Sequence, residues 1–127
     1  MNGKRLIFGI AFALLATLGA TSCGSKPEIS EIPEGALILD VRTAREFRGD
    51  RYPGAINVPL RKLAARVEEL GDKDRTIVVY CRSGNRSVDA KEILLARGFT
   101  NVKNGAGLDD MLAMPRATKE QPDERHP

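Results

Sequence analysis

The segment Thr76–Tyr80 constrains the fold of this chain more than any other, because all five of its residues are β-branched or aromatic. Such a run predicts a β-strand. A short polar stretch follows it, and the residues from Val88 to Arg97 then show helical periodicity that ends at Gly98. A strand that leads through a short loop into a helix is the first half of a strand–helix–strand unit, so this segment favours an α/β fold.

The rest of the chain repeats this alternation. Ala36–Val41 and Phe99–Val102 predict two further short strands, and Ile56–Val58 predicts a third. Between them, Thr43 can cap a short helix, and apolar residues recur at helical spacing over residues 60–70. We therefore expect a single α/β domain whose small, mainly parallel sheet is flanked by helices on both faces.

The N-terminus predicts a signal peptide over residues 1–22. Lys4 and Arg5 precede a long apolar stretch that ends in small residues, which is typical of secretion signals. This stretch is shorter than the roughly 20 residues of a membrane-spanning helix. Cys23 stands where a bacterial lipobox has its lipidated cysteine, although Ala20 replaces the usual leucine, so cleavage without lipidation stays open. In both cases we expect an exported protein in the periplasm or cell envelope, with a lipid anchor if Cys23 is acylated.

Composition divides the remaining residues into three parts. Residues 23–35 are rich in Pro, Glu, Ser and Gly and predict a tether. Residues 36–115 hold the predicted strands and helices, and residues 116–127 predict a flexible tail. A chain of 127 residues has room for one domain of this size and no second one.

Charge and rare residue types exclude several functions. The signal peptide holds two cations and no acid, so its removal lowers the net charge from +3 to +1 and leaves no basic surface for nucleic acid. The only histidine, His126, lies in the predicted tail, which disfavours Ser–His–Asp and Cys–His mechanisms. Two cysteines cannot build a four-cysteine zinc site, and no nucleotide or flavin motif is present. We therefore expect neither a metal nor a cofactor.

The candidate chemistry lies between the strongest strand and its helix. We call this segment the cysteine loop, and it consists of Cys81, Arg82, Ser83, Gly84, Asn85, Arg86 and Ser87. Ligands of open α/β sheets bind beyond the carboxyl ends of the strands, where this loop lies. Its backbone N–H groups and the positive end of the following helix can hold an oxyanion such as thiosulfate. Arg82 and Arg86, together with these amide dipoles, favour the thiolate of Cys81 over the thiol.

Cys81 has no partner for a disulfide once Cys23 is lipidated or removed. A single thiol outside the cytoplasm is either buried and inert or retained for its reactivity. Because a glycine, two arginines and a helix start surround Cys81, we favour a reactive thiol.

Four ordered blocks of sequence resemble the rhodanese family. They are Asp40-Val41-Arg42 with Glu46 and Phe47, then Pro53–Pro59, then Val78–Ser87, and finally Gly98–Val102 with Gly105–Leu108. The resemblance runs from about residue 36 to residue 115. The stretch from Asn104 to Pro115 is similar to the small periplasmic rhodaneses of the phage-shock type. The resemblance implies a rhodanese-like α/β fold.

The same resemblance implies a thiosulfate sulfurtransferase. Cys81 would be the nucleophile, would take the outer sulfur of thiosulfate as a persulfide, and would pass it to a thiophilic acceptor such as cyanide or a thiol. The amides of residues 82–87 would hold the persulfide and the oxyanion, with Arg86 closing the loop. Asp40 and Arg42 would brace the strand ends and loops, a structural role rather than a catalytic one.

The chain departs from the family pattern in two places. Asp50-Arg51-Tyr52 stands where the family often has Gly-His, which changes a local contact. No strand and helix are predicted ahead of Ala36, so one edge of the sheet is expected to be open. We expect a monomer, and an open edge could favour weak self-association.

Two alternatives to this enzyme remain. The related phosphatases and arsenate reductases have five residues between Cys and Arg, whereas four separate Cys81 from Arg86, and a tetrahedral phosphate needs the larger ring of amides. The shorter loop therefore argues for sulfur. The second alternative is a low-turnover persulfide carrier that works with a partner protein. The sequence does not separate it from an enzyme, because both need a competent Cys81.

Overall fold

The computed structural model describes residues 24–118, so the predicted signal peptide, Cys23 and residues 119–127 of the predicted tail lie outside the described residues. Four strands form one sheet in the order β2-β1-β3-β4, and each neighbouring pair is parallel. The strands are β1 (Leu37–Asp40), β2 (Ile56–Asn57), β3 (Ile77–Cys81) and β4 (Val102–Gly107). The predicted parallel sheet is therefore confirmed.

Helices connect these strands, as the alternating sequence pattern predicts. They are α1 (Ala44–Gly49), α2 (Leu60–Arg66) with a 3₁₀ turn after it (Val67–Leu70), α3 (Asn85–Ala96) and α4 (Leu108–Ala113). The predicted cap of the first helix is present, because the Thr43 hydroxyl accepts the N–H of Glu46 at 3.2 Å. The Glu46 carboxylate accepts the N–H of Thr43 at 2.9 Å in return, which completes a capping box.

Alternate residues of β3 enter two cores on opposite faces of the sheet. Ile77, Val79 and Cys81 pack with apolar residues of α2 and α3. Val78 and Tyr80 pack on the other face with residues of α4. All five β3 side chains are buried, as the period of two along a strand between two layers requires. The prediction of helices on both faces is thereby confirmed.

The described part of the predicted tether packs against the domain instead of standing free. Ile32 is 2% exposed, and its N–H donates to the carbonyl of Pro115 at 2.8 Å. The N–H of Glu28 donates to the carbonyl of Asn104 on the edge strand β4 at 2.8 Å, so this segment partly covers one of the two edges of the sheet. Composition misses this packing because a single buried isoleucine, a few backbone hydrogen bonds and the side chains of Ser25 and Glu28 hold the segment.

The start of the predicted tail also contacts the domain. The N–H of Ala117 donates to the carbonyl of Ile32 at 2.8 Å. The Arg116 guanidinium donates to the carbonyl of Pro53 at 2.7 Å and lies over the ring of Tyr52. These contacts tie the beginning of residues 116–127 to the domain, which composition alone does not indicate.

The last strand lies further along the chain than predicted. Phe99 is buried in the turn before β4, and the strand runs from Val102 to Gly107 rather than from Phe99 to Val102. A bulge interrupts its register, because Val79 pairs with Asn104 whereas Tyr80 pairs with Ala106. The glycine-rich sequence of this strand has low intrinsic β-propensity, which is why the pattern misses it.

Candidate active site

Cys81 is the last residue of β3, and its thiol is buried at 1% exposure. The Gly84 N–H donates to Cys81 Sγ at 3.0 Å, and the Ser87 hydroxyl oxygen lies 3.8 Å from the same sulfur. A backbone N–H held against sulfur stabilises negative charge there. Cys81 therefore lies at the end of the strongest strand, as predicted, and its side chain is buried instead of exposed on a loop.

Part of the cysteine loop is helical in the structure. Helix α3 begins at Asn85, so only residues 82–84 lie outside regular structure. Gly84 adopts φ 96°, a left-handed conformation that favours glycine. The first turn of α3 leaves the N–H groups of Asn85, Arg86 and Ser87 without helical partners. These donors and the positive end of the helix lie at the same end of α3 as Cys81.

Hydroxyl and backbone contacts hold the turn at Gly84. The Ser87 hydroxyl donates to the Gly84 carbonyl at 2.7 Å, and Ser87 is fully buried. The Val88 N–H donates to the same carbonyl at 3.3 Å. The Gly84 carbonyl therefore accepts hydrogen bonds from Ser87 and Val88, and the Gly84 N–H contacts the sulfur of Cys81.

Arg86 forms an ion pair with Glu46 of α1. Its two terminal nitrogens each donate to one oxygen of the Glu46 carboxylate, both at 2.9 Å. The Arg86 hydrogen bonds hold the pKa of Glu46 at about 2, well below its usual value. The Glu46 carboxylate raises the pKa of Arg86 in turn. This fork-like pair joins the start of α3 to α1, and the role of Arg86 in closing the loop stays a prediction.

Arg82 is an exposed cation on the surface of the cysteine loop. Its side chain is 61% exposed, and its nearest acid is Asp50, with 3.7 Å between the guanidinium and a carboxylate oxygen. An exposed pair at this distance contributes little to stability. Ser83 and Asn85 are exposed on the same loop. Arg82 is thus available to an anion that approaches from solvent.

Asp40 and Arg42 form a fully buried ion pair behind the loop. The Arg42 guanidinium donates to Asp40 carboxylate oxygens at 2.7 to 3.1 Å and to the Asp50 carbonyl at 2.6 Å. Burial acts to lower the pKa of Arg42, but the hydrogen bonds to Asp40 and Asp50 outweigh it and raise that pKa above its usual value. The pair joins the end of β1 to Asp50, and the bracing role of both residues stays a prediction.

Asp50 is a site residue that the sequence reasoning did not single out. Its carbonyl and carboxylate both accept hydrogen bonds from buried Arg42, and its carboxylate also faces exposed Arg82. Asp50 stands in the place where the chain departs from the usual Gly-His of the family. The carboxylate of Asp50 therefore links the buried pair of Asp40 and Arg42 to Arg82 of the cysteine loop.

Ser25 and Asn104 also contact the site and were missed. The Ser25 hydroxyl donates to the Gly84 carbonyl at 2.9 Å, and the Asn104 side-chain amide donates to the Ser25 oxygen at 3.0 Å. Asn104 in turn accepts the N–H of Ala106 at 2.9 Å, which holds Ala106 in its left-handed conformation at φ 64°. Nothing in the Gly-Ser-Lys-Pro sequence of residues 24–27 distinguishes it from a linker.

Lys91 and Glu28 fasten the same N-terminal segment to α3. The Lys91 ammonium lies 2.6 Å from a Glu28 carboxylate oxygen, and the Asn104 N–H donates to that carboxylate at 3.0 Å. Although partial burial acts to raise the pKa of Glu28, the contacts with Lys91 and Asn104 lower it overall. We call residues 24–28 the N-terminal strap, because they cross from β4 to the back of the cysteine loop.

The arrangement suits displacement of an anionic leaving group by a thiolate. Within residues 24–118 no cluster of three or more His, Cys, Asp or Glu side chains could hold a metal ion. The same residues include no helix long and apolar enough to cross a membrane. The Gly84 N–H contacts the sulfur, further N–H groups lie at the start of α3, and a leaving group that departs as a stable anion needs no general acid.

Comparisons with known proteins agree with the geometry. A family model of the rhodanese-like domain matches residues 26–107. The thiosulfate sulfurtransferase PspE of Escherichia coli is 42% identical over 79 residues, which are 61% of this chain and 75% of that protein. A sulfurtransferase of Allochromatium vinosum is 38% identical over 74 residues, which are 58% of this chain and 68% of that protein.

A solved structure described as a rhodanese with anions from E. coli matches with a TM-score of 0.59 and 41% identity. The match covers 63% of this chain and 94% of that one. The residues that the family model matches include all four strands and the cysteine loop, so the resemblance predicted from four sequence blocks is confirmed. The chain belongs to the rhodanese family.

Proposed function

We propose that this protein is an exported thiosulfate sulfurtransferase in which Cys81 carries sulfur as a persulfide. Sulfur transfer is the activity that the relatives support. The observation that carries the assignment to Cys81 is the Gly84 N–H held 3.0 Å from its sulfur, at the start of α3. Thiosulfate is the proposed donor because the most similar relative described above is named for that substrate.

In the first step the Cys81 thiolate attacks the outer sulfur of thiosulfate. A new S–S bond forms to Cys81, the S–S bond within thiosulfate breaks, and sulfite leaves with the electron pair. No proton moves and no external oxidant is needed. The N–H groups of the cysteine loop and exposed Arg82 stabilise the anionic reactants, thiolate and thiosulfate, and the anionic products, persulfide and sulfite.

In the second step a thiophilic acceptor takes the outer sulfur from the persulfide. The acceptor forms a bond to that sulfur, the S–S bond to Cys81 breaks, and the thiolate of Cys81 returns. The Gly84 N–H that contacts the sulfur is then in place for the next cycle.

Four residues separate Cys81 from Arg86 in the sequence, and a loop this short supports sulfur rather than phosphate chemistry.

Export and lipidation are part of the same proposal. Their support is the sequence of residues 1–22 and the position of Cys23. Labelling of cells with a radioactive fatty acid tests the anchor. Label in the wild-type chain and none in Cys23→Ser supports it, whereas equal label in the two chains, or none in either, contradicts it.

Sulfur uptake tests the role of Cys81. The protein is incubated with thiosulfate, its intact mass is measured for one added sulfur, and thiocyanate is assayed after cyanide is added. Cys23→Ser serves as the matched control, because it removes the other cysteine and keeps Cys81. We expect the adduct in the wild type and in Cys23→Ser and none in Cys81→Ser.

An equal adduct in Cys81→Ser, or none in the wild type, contradicts a Cys81 sulfurtransferase. A stable adduct that yields no thiocyanate instead assigns the carrier role. In that case sulfur enters from thiosulfate but does not pass to cyanide, so a partner protein would be the acceptor.

A further inference from the structure

Asp50 lies between two arginines whose surroundings differ. Its backbone carbonyl and one oxygen of its carboxylate accept hydrogen bonds from the buried Arg42 guanidinium, at 2.6 and 3.1 Å. The other oxygen of the same carboxylate faces Arg82, with 3.7 Å between the charged groups. The Asp50 side chain is 60% exposed. Asp50 is therefore held on its inner side and open to solvent on its outer side.

Only one of these two contacts can be exchanged at low cost. Arg42 is fully buried and also donates to both oxygens of the Asp40 carboxylate, so moving it would strand a buried charge. Arg82 and Asp50 are both exposed, and their separation is longer than a hydrogen bond. An exposed pair of this kind is readily replaced by solvent or by another ion. Asp50 therefore stays in place, whereas Arg82 can leave it.

Arg82 is the loop cation that a donor anion can use. It follows Cys81 directly in the chain, and its guanidinium makes no hydrogen bond within the described part of the protein. Arg86, the other arginine of the cysteine loop, already donates through both terminal nitrogens to Glu46. An oxyanion that approaches the sulfur therefore competes with the Asp50 carboxylate for Arg82.

We propose that Asp50 is an exchangeable counter-ion of Arg82, and that this exchange sets the affinity of the site for sulfur oxyanions. The inference rests on the function proposed above and adds a positioning residue to it. Thiosulfate takes Arg82 from Asp50 as it binds, and Asp50 takes Arg82 back as sulfite leaves. The same residue thus weakens the binding of the donor and of the leaving anion. Asp50 belongs to the segment in which the chain departs from the usual Gly-His of the family.

Sulfate tests the exchange separately from sulfur transfer, because it is a dianion of similar size with no sulfur that a thiolate can take. The full mature chain is titrated with sulfate at constant ionic strength, and binding is followed by the NMR shifts of the backbone amides of the cysteine loop. We expect Asp50→Asn to bind sulfate about three- to five-fold more tightly than the wild type, since the anion no longer competes with an exposed ion pair. The asparagine oxygen can still accept from Arg42, so the inner contact is kept.

Two further variants show whether Asp50 acts through Arg82. In an Arg82→Gln background, Asp50→Asn should change the sulfate affinity by less than about 1.5-fold, because the competing pair is already absent. Asp109→Asn is the matched control for the loss of one negative charge. Asp109 is exposed at the start of α4, at the same edge of the sheet, and makes no ion pair with any residue from 24 to 118. Its field is screened in moderate salt, so we expect this variant to keep the wild-type affinity.

Sulfur uptake from thiosulfate supplies a second readout. Half-saturation should fall in Asp50→Asn by the same factor as for sulfate, while the rate of uptake at saturation stays at the wild-type value. A lower saturating rate with unchanged half-saturation overturns the inference, because it is the result expected of a purely structural role.

The sulfate titration also separates this inference from the proposed function. Equal or weaker sulfate binding by Asp50→Asn, or the same gain with and without Arg82, overturns the exchange even if the wild type takes up sulfur. If the wild type takes up no sulfur but Asp50→Asn binds sulfate more tightly through Arg82, the proposed function fails and the exchange stands.

Discussion

The hydroxyl of Ser25 donates a hydrogen bond to the carbonyl of Gly84 at 2.9 Å, across a separation of 59 residues. Gly84 is the residue whose N–H contacts the sulfur of Cys81. The N-terminal strap therefore supports the backbone that places a donor against the candidate nucleophile. Because Asn104 donates to the same hydroxyl, Ser25 joins the cysteine loop to β4 as well.

Replacement of Ser25 by alanine should weaken both the fold and sulfur uptake. It removes one hydrogen bond and leaves the buried amide of Asn104 without its acceptor, which should lower the free energy of unfolding by about 1 kcal/mol. The loop would then sample positions in which the Gly84 N–H misses the sulfur, so we expect several-fold slower uptake. Denaturant unfolding and time-resolved intact mass after thiosulfate addition measure the two effects.

Ser30→Ala is the control for this prediction. Ser30 is an exposed serine in the same N-terminal segment, beyond the strap, and its loss should change the free energy of unfolding by less than about 0.5 kcal/mol. If Ser25→Ala takes up sulfur as fast as Ser30→Ala, the strap does not position the loop.

Gly84→Ala should be far more damaging than an alanine at another left-handed glycine. A Cβ on Gly84 would lie 2.5 Å from the Ser25 hydroxyl and 2.8 Å from the Ser25 carbonyl, at φ 96°. Gly98 has nearly the same φ, 92°, but nothing lies within 4 Å of its added Cβ. We expect Gly98→Ala to cost about 1 kcal/mol from backbone strain and Gly84→Ala about 3 kcal/mol, with loss of sulfur uptake. Equal costs in urea unfolding would contradict the close contact with Ser25.

The strand–loop–helix around Cys81 was predictable because its signals are local. The β-branched run, the helical periodicity and the Thr43 cap each depend on residues within one turn or one strand. The fold class and the position of the cysteine follow from these signals, whereas the family was inferred from the resemblance of four ordered sequence blocks.

The contacts of the strap were not predictable, because they join residues far apart in sequence. Ser25 reaches Gly84 and Asn104 only after the sheet has formed, and no periodicity marks a serine that will do so. The bulge before Ala106 has a similar cause, since a buried asparagine side chain, and not strand propensity, stabilises its backbone. Asp50 gains its role from two arginines that the fold brings together.

Asp40→Asn tests whether the buried pair is structural. The substitution leaves the Arg42 guanidinium buried with reduced compensation, and breaking such a pair costs about 3 to 5 kcal/mol. Arg82→Gln removes an exposed pair with Asp50 and should cost less than about 1 kcal/mol. Urea unfolding of both variants checks the contrast. A stable Asp40→Asn that has lost sulfur uptake would instead indicate a direct part in the chemistry.

Glu46 makes the stability of the fold depend on pH in a defined window. Its pKa is about 2 in the folded protein, chiefly because of the hydrogen bonds from Arg86, and 4.5 is the ordinary value. A carboxyl whose pKa is lowered by folding stabilises the fold above the ordinary value, and that stabilisation is lost as the pH falls toward the folded value. The contribution of Glu46 is therefore complete above pH 4.5 and fades between pH 4.5 and about 2.

Glu46→Gln should lower the free energy of unfolding near neutral pH by about 1 to 2 kcal/mol and flatten its decline in that acidic window. The glutamine can still cap α1 but cannot neutralise Arg86, so the cysteine loop loses its link to α1 while the helix keeps its start. Unfolding midpoints measured from pH 7 down to pH 2 test this. Glu69→Gln, which breaks an exposed pair with Arg66, is the control and should follow the wild-type pH profile closely in moderate salt. If Glu46→Gln and the wild type lose stability in parallel below pH 4.5, the Glu46–Arg86 pair does not hold the loop.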